Sequence, residues 1–307
     1  MKIKMKLSFV CIGVQKAGTT SLHDILKQHP KIGLPDIKEA PFFIDDFKFQ
    51  KGINNYFKDY FKESDKNLLL GEINPQFCYV PKVAERIKNN FGEVKIIILL
   101  RNPVDRAFSH YLMTKRRGLE PLSFEDALLS EKERLGTEHG DLNHSYISRG
   151  NYTNQIERYQ KLFGDENLKV ILFDEFIRNT PKVTREICEF INVEDFDFDF
   201  GIQSNPASES KSKLLGNFLY RPSFIKRILG RLLLSQKRKD KVALALDKMN
   251  LKEAKKESLS NELKQNIYNN YFQQEIENLE KVLNKDLSNW KAFITNSSRE
   301  SIDINEK

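Results

Sequence analysis

A junction near the start of the chain constrains the fold most. The apolar run Leu7–Val14 (LSFVCIGV) passes into Gly13-Val14-Gln15-Lys16-Ala17-Gly18-Thr19-Thr20-Ser21, and a helical pattern with Leu22, Ile25 and Leu26 on one face comes next. A short apolar run closed by glycine reads as a strand, so the order here is strand, loop, helix. A glycine-containing turn at that place turns backbone N–H groups toward an anion, and the helix N-terminus adds the positive end of its dipole. Lys16 and the hydroxyls of Thr19, Thr20 and Ser21 supply further donors, which makes the segment a phosphate cradle. It departs from the ordinary ATPase sequence, in which lysine follows the last glycine directly and the next Ser or Thr holds magnesium. Here Lys16 precedes Gly18 by two positions.

The strand-then-helix pattern recurs. Lys95–Leu100 (KIIILL) is rich enough in β-branched residues to be a buried parallel strand, and Arg101-Asn102-Pro103 then supplies a strand end, an N-cap and a proline at the first helical position. That helix is expected to run to about Arg117. Leu168–Phe173 and Leu68–Ile73 read as two more strands, and Thr180-Pro181 opens a helix carrying Val183, Ile187, Phe190 and Ile191. Alternation of this kind over the first 195 residues predicts an α/β fold, a mostly parallel sheet with helices on both faces. Residues 196–215 read as a polar loop, Leu263–Leu283 as a long helix with Trp290 docked on the body, and 294–307 as a disordered polar tail. One domain over residues 1–293 is the expected organisation.

The formal charge of +7 is not spread over the chain. Residues 211–241 hold ten Lys and Arg against Asp240 alone, a local +9 that leaves −2 for the remainder. A nearly neutral body argues against nucleic acid as a partner. Within 221–241 the apolar stripe Phe224, Ile225, Ile228, Leu229, Leu232 and Leu233 faces away from Lys226, Arg227 and Arg231, so peripheral contact with an anionic membrane is one use open to it. Cys11, Cys78 and Cys188 have neither disulfide nor zinc spacing, so they read as buried free thiols in a reducing compartment, with no structural metal. Neither a signal peptide nor a membrane span is read, and a cytoplasmic place is expected.

The second chemical motif is Arg101-Asn102-Pro103-Val104-Asp105-Arg106-Ala107-Phe108-Ser109-His110-Tyr111. Arg101 leaves its strand where open α/β sheets bind ligands, beside a capped helix N-terminus. Two anion sites on one sheet edge suit a ligand with two separated phosphates. Arg106 and His110, four apart on one helix face, are read as satisfied core or surface groups.

The pair GxxKxGTTxL and RNPxxRxxSxY resembles the sulfotransferases that use 3′-phosphoadenosine 5′-phosphosulfate (PAPS), whose fold is P-loop NTPase-like. Gly150-Asn151-Tyr152 and Leu279–Trp290 are also similar to that family, so the resemblance covers about residues 7–292. It implies that Lys16, Ala17, Gly18, Thr19, Thr20 and Ser21 hold the 5′-phosphosulfate and that Arg101 and Ser109 hold the 3′-phosphate. It implies in-line transfer from PAPS, leaving 3′-phosphoadenosine 5′-phosphate (PAP), with Lys16 stabilising the leaving oxygen and no metal required.

Lys38-Glu39-Ala40-Pro41-Phe42-Phe43 resembles a segment of the carbohydrate branch, including the heparan sulfate sulfotransferases, in which the Glu is the proposed general base. Glu39 is therefore the expected base, and Glu72 is next in line or helps to position the substrate or Lys16. The small-molecule branch has a catalytic His where this chain reads Gly71-Glu72-Ile73-Asn74-Pro75, which points to a hydroxyl or amine of a carbohydrate or glycoconjugate as acceptor. Lys211 and Lys213 lie where the family closes a late loop over the nucleotide, often with an Arg. Two other classes stay open: a P-loop ATPase or kinase, in which Leu168–Glu175 (LKVILFDE) would hold magnesium, and a non-enzymatic membrane-surface adaptor.

Overall fold

The computed structural model describes residues 5–201, 208–210, 251–253 and 257–291. In chain order the first half contains β1 (Phe9–Gly13), α1 (Thr19–Leu26), β2 (Ile32–Gly33), α2 (Asp46–Gln50), α3 (Ile53–Tyr60), β3 (Leu69–Ile73), α4 (Lys82–Phe91), β4 (Lys95–Leu100) and α5 (Pro103–Arg116). Next come α6 (Phe124–Leu129), α7 (Glu131–Arg134), α8 (Glu138–Asn143), α9 (Tyr152–Phe163), β5 (Leu168–Leu172), α10 (Phe173–Arg178) and α11 (Thr180–Phe190). The described remainder holds β6 (Ser208–Ser210), β7 (Leu251–Glu253), α12 (Asn261–Ile267) and α13 (Gln273–Leu283).

Strands β1 to β5 form one sheet in the order β2-β3-β1-β4-β5. Every pairing in it is parallel, with Phe9 opposite Gly71 on one side and Lys95 on the other. Successive strand residues point to opposite faces, yet all of β1 and all of Ile96–Leu100 are buried. Both faces of the sheet are therefore covered, as the unbroken apolar runs predict. Because all five strands run the same way, the segments leaving β1, β3 and β4 emerge side by side at one edge.

Local chemistry accounts for the helix starts. Asn102 caps α5 by accepting from the Val104 N–H at 3.0 Å, with Pro103 at the first helical position, and Asn179 caps α11 in the same way through Lys182. The chain after α11 differs from the expected loop. Residues 208–210 form β6, antiparallel to β7, and a partner so distant in sequence leaves no local signal. The expected helix over Leu263–Leu283 is also interrupted, because Tyr268–Phe272 forms a π-helical turn between α12 and α13. That turn buries Phe272 against Gly150, where a Cβ would lie 2.7 Å from the Phe272 ring. Trp290 is buried as expected, and its carbonyl accepts from Asn102 Nδ2 at 3.2 Å, tying the C-terminal part to the start of α5. All three cysteines are buried free thiols.

Candidate active site

The loop after β1 bends through two left-handed residues, Lys16 at φ 73° and Gly18 at φ 86°. Gly18 is required twice over, since a Cβ there would also lie 3.0 Å from the Phe173 ring. Helix α1 starts at Gly18 with no side-chain cap and no acid in its first turn. Its leading N–H groups thus present a positive helix end to whatever fills the cradle. Lys16 is half-buried, and burial, then the positive charges of Arg116, Arg117 and Arg101, push its ammonium down to about 8 against the pull of Glu39. Such a group gains from an anion placed beside it.

Arg101 leaves β4 and donates Nη1 to the carbonyl oxygen of Lys16 at 3.0 Å, with its guanidinium over the Phe173 ring at 5.1 Å. Its own carbonyl accepts from Tyr152 OH at 2.8 Å. The Gly150-Asn151-Tyr152 segment therefore has a mechanical role: Gly150 allows close packing and Tyr152 fixes the end of β4. Ser109 is half-buried two turns into α5. Arg116 and Arg117 follow it at i+7 and i+8, on the same helix face.

The Lys38–Phe43 segment closes the third side. Lys38 Nζ donates to Thr20 Oγ1 at 3.0 Å and to Glu39 Oε1 at 2.7 Å, so it bridges the cradle and the carboxylate. Glu39 has φ 63°, a left-handed conformation that costs a non-glycine residue about 1–3 kcal/mol. Phe42 and Phe43 anchor the far end of the segment, packing on the Tyr56 ring at 5.0 and 5.1 Å between centroids. Behind them Glu72 has no exposed surface. Its Oε2 accepts from Tyr56 OH at 2.5 Å, the Ala40 N–H faces its carboxyl, and Oε1 has no hydrogen-bond partner. Burial raises the Glu72 carboxyl to about 8; the hydrogen bonds act against that rise and the charge of Glu39 adds to it.

The structure thus gathers Lys16 to Ser21, Arg101 and Glu39 around one strand edge, with Ser109 on the adjoining helix. Lys211, Lys213, the 221–241 segment and the 294–307 tail lie outside the described residues. Arg106 and His110 are fully buried but not satisfied as expected: Arg106 donates Nη2 to the Tyr146 carbonyl and His110 meets the Tyr146 ring edge-on at 5.0 Å, while Arg106 Nε and Nη1 and both His110 ring nitrogens have no hydrogen-bond partner. Sequence reasoning does not single out Arg116, Arg117, Lys38 or Asn74 as site residues. The i+7 spacing from Ser109 is the available signal for Arg116. For the ATPase alternative, β5 is the edge strand, separated from β1 by β4, and Asp174 and Glu175 are exposed in the first turn of α10; what counts against it is the cradle sequence, in which Lys16 precedes Gly18.

Comparison with known proteins agrees with this geometry. The sulfotransferase domain family matches residues 8–199, from the start of β1 past the end of α11, and the chain belongs to that family. It is 33% identical over 138 residues to the membrane-associated sulfotransferase kil1 of Dictyostelium discoideum, covering 42% of this chain and 29% of that protein. It is 27% identical over 188 residues to heparan sulfate glucosamine 3-O-sulfotransferase 5 of Homo sapiens, covering 60% of this chain and 53% of that one. The chain therefore spans about half, or less, of the length of these relatives. The crystal structure of a sulfotransferase from Alicyclobacillus acidocaldarius superposes with a TM-score of 0.65 at 28% identity, covering 94% of this chain and 100% of that one. No helix among the described residues is long and apolar enough to cross a membrane.

Proposed function

We propose that this chain is a PAPS-dependent sulfotransferase acting on a hydroxyl or amine of a carbohydrate or glycoconjugate. The observation that carries the reading is the pairing of the uncapped α1 N-terminus and Lys16 with Arg101, which arrives from the neighbouring strand and bonds the Lys16 carbonyl. The donor set suits a nucleotide with a 5′-phosphosulfate and a 3′-phosphate: N–H groups, hydroxyls and one ammonium in the cradle, then a guanidinium and the Ser109 hydroxyl along α5. Bound there, PAPS supplies a sulfuryl group whose S–O bond to phosphate breaks as the acceptor oxygen or nitrogen bonds to sulfur, releasing PAP.

The protein's part is positional and electrostatic. Lys16 and the α1 N-terminus stabilise the negative charge that grows on the leaving phosphate oxygen. Glu39 takes the acceptor's proton. Lys38, bonded to both Thr20 and Glu39, keeps the carboxylate beside the cradle. These cations supply the stabilisation without a metal ion. The similarity to a heparan sulfate sulfotransferase favours a carbohydrate acceptor. Residues 1–293 form the sulfotransferase unit in this reading, its place is cytoplasmic, and the 221–241 basic segment is open to surface docking. The deciding experiment is an acceptor screen with labelled PAPS, with and without EDTA. Label transfer to a sugar acceptor that survives EDTA supports the reading, while transfer to phenols alone or loss with EDTA overturns those parts of it.

A further inference from the structure

The left-handed backbone at Glu39 needs something to hold it, and the end of β3 supplies the grip. Ala40, the next residue, is fully buried between the two side chains: its carbonyl accepts from Asn74 Nδ2 at 3.1 Å, and its N–H faces the Glu72 carboxyl. Glu72 is itself fixed by Tyr56, whose ring supports Phe42 and Phe43. Asn74 is equally buried, and its Oδ1 accepts from the Gln76 N–H at 3.1 Å, so neither side chain can swing away.

We propose that Glu72, acting with Asn74, is a positioning residue for Glu39: it grips the Ala40 peptide so that the Glu39 carboxylate is held beside Lys38 and the phosphate cradle. Glu72 does not take the acceptor's proton itself, because no part of it is exposed. A fully buried carboxyl is costly unless it is hydrogen-bonded; here Oε2 accepts from Tyr56 OH, and the side facing the Glu39 loop looks onto the Ala40 N–H. Tyr56 then does two jobs at once, packing the aromatic anchor and orienting the carboxyl that holds Ala40. The inference rests on Glu39 being the base.

The test uses the full chain with Glu72→Ala, Glu72→Gln, Glu39→Gln and the Glu39→Gln/Glu72→Ala double variant. Turnover is followed with labelled PAPS, PAP affinity by calorimetry, and the Ala40 amide by hydrogen exchange. Glu72→Ala is expected to lower kcat by about 10-fold or more with PAP affinity within about twofold, and to speed Ala40 exchange by about 10-fold. Glu72→Gln, which keeps an oxygen for Tyr56 and Ala40, should stay within about threefold of the parent kcat. The double variant should be no slower than Glu39→Gln, because a residue acting through Glu39 has nothing left to act on. Full turnover in Glu72→Ala, an additive loss in the double variant, or unchanged Ala40 exchange overturns the proposal. So does a Glu72→Gln variant as slow as Glu72→Ala with Ala40 still protected, which assigns the effect to charge. Normal turnover in Glu39→Gln alone is a separate result: it removes the base assignment, and the exchange measurement still reports on the grip.

Discussion

Arg101 Nη1 lies 3.0 Å from the carbonyl oxygen of Lys16, so the residue that ends β4 also braces the loop that leaves β1. In the proposed reading this couples the two phosphate positions. A nucleotide with phosphates at both places engages a guanidinium already held in position, which lowers the ordering cost of binding. Arg101→Ala is expected to weaken PAP binding by about 1.5–3 kcal/mol, or one to two decades of affinity. AMP, which lacks the 3′-phosphate, should bind much more weakly than PAP to the parent protein and lose little further in the variant. Calorimetry with both nucleotides checks this, and equal affinity for the two contradicts the assignment of Arg101.

Glu39→Gln keeps the size of the side chain and an oxygen for Lys38 while removing its basicity. Turnover with labelled PAPS should fall by about 10²–10⁴-fold. PAP affinity should hardly change, since the cradle and Arg101 remain. Measuring both on one preparation separates a base from a donor-site residue, because loss of PAP binding would place Glu39 in the nucleotide site instead.

The sheet and the cradle are legible in the sequence because both are local. Lys95–Leu100 is a continuous apolar run, and Asn102-Pro103 caps and starts its own helix. The features that stay hidden depend on contacts between distant segments. Nothing near residue 208 announces pairing with residue 253, and nothing around Tyr268 signals that Gly150 will receive Phe272. The same holds within the site. Lys16, Gly18 and Glu39 stand out through their motifs, whereas Asn74 matters through Ala40, and Arg116 and Arg117 matter through Lys16.

One network away from the site should govern acid stability. Glu120 Oε2 accepts from Arg134 Nη1 at 2.8 Å and from Tyr146 OH at 2.7 Å, with His144 Nδ1 at 3.4 Å. Burial alone would raise its carboxyl, but the hydrogen bonds from His144, Arg134 and Tyr146 outweigh it and hold the group at about 2. A carboxylate depressed in the folded state contributes stability above its unfolded value and loses it as pH falls toward 2. Glu120→Gln should therefore cost about 3 kcal/mol at pH 7, because it leaves Arg134 without its buried partner. Urea unfolding of parent and variant should converge as pH drops below about 4.5, the ordinary carboxylate range. A constant difference across that range would mean that the charge on Glu120 is not the source.

The Lys16 ammonium sits at about 8 in the free protein. Burial is the main cause and the cations Arg116, Arg117 and Arg101 add to it, so the group is partly neutral at mildly alkaline pH. A phosphate or phosphosulfate in the cradle favours the charged form and raises that value. Between about 8 and the ordinary lysine range near 10.4, nucleotide binding must then take up a proton, and affinity should fall by up to tenfold per pH unit. Calorimetry of PAP binding at pH 8.5–9.5, run in buffers of different ionisation enthalpy, reads the uptake directly. Lys16→Ala should abolish both the uptake and the pH slope, and lower turnover by about 10²–10³-fold with the fold intact. Lys16→Arg keeps a permanent charge, so it should retain binding while losing the slope. Arg116→Gln removes one of the repelling cations and should move the onset of the slope to higher pH. An identical slope in the parent and Lys16→Ala would show that some other group titrates and that Lys16 does not meet the phosphate.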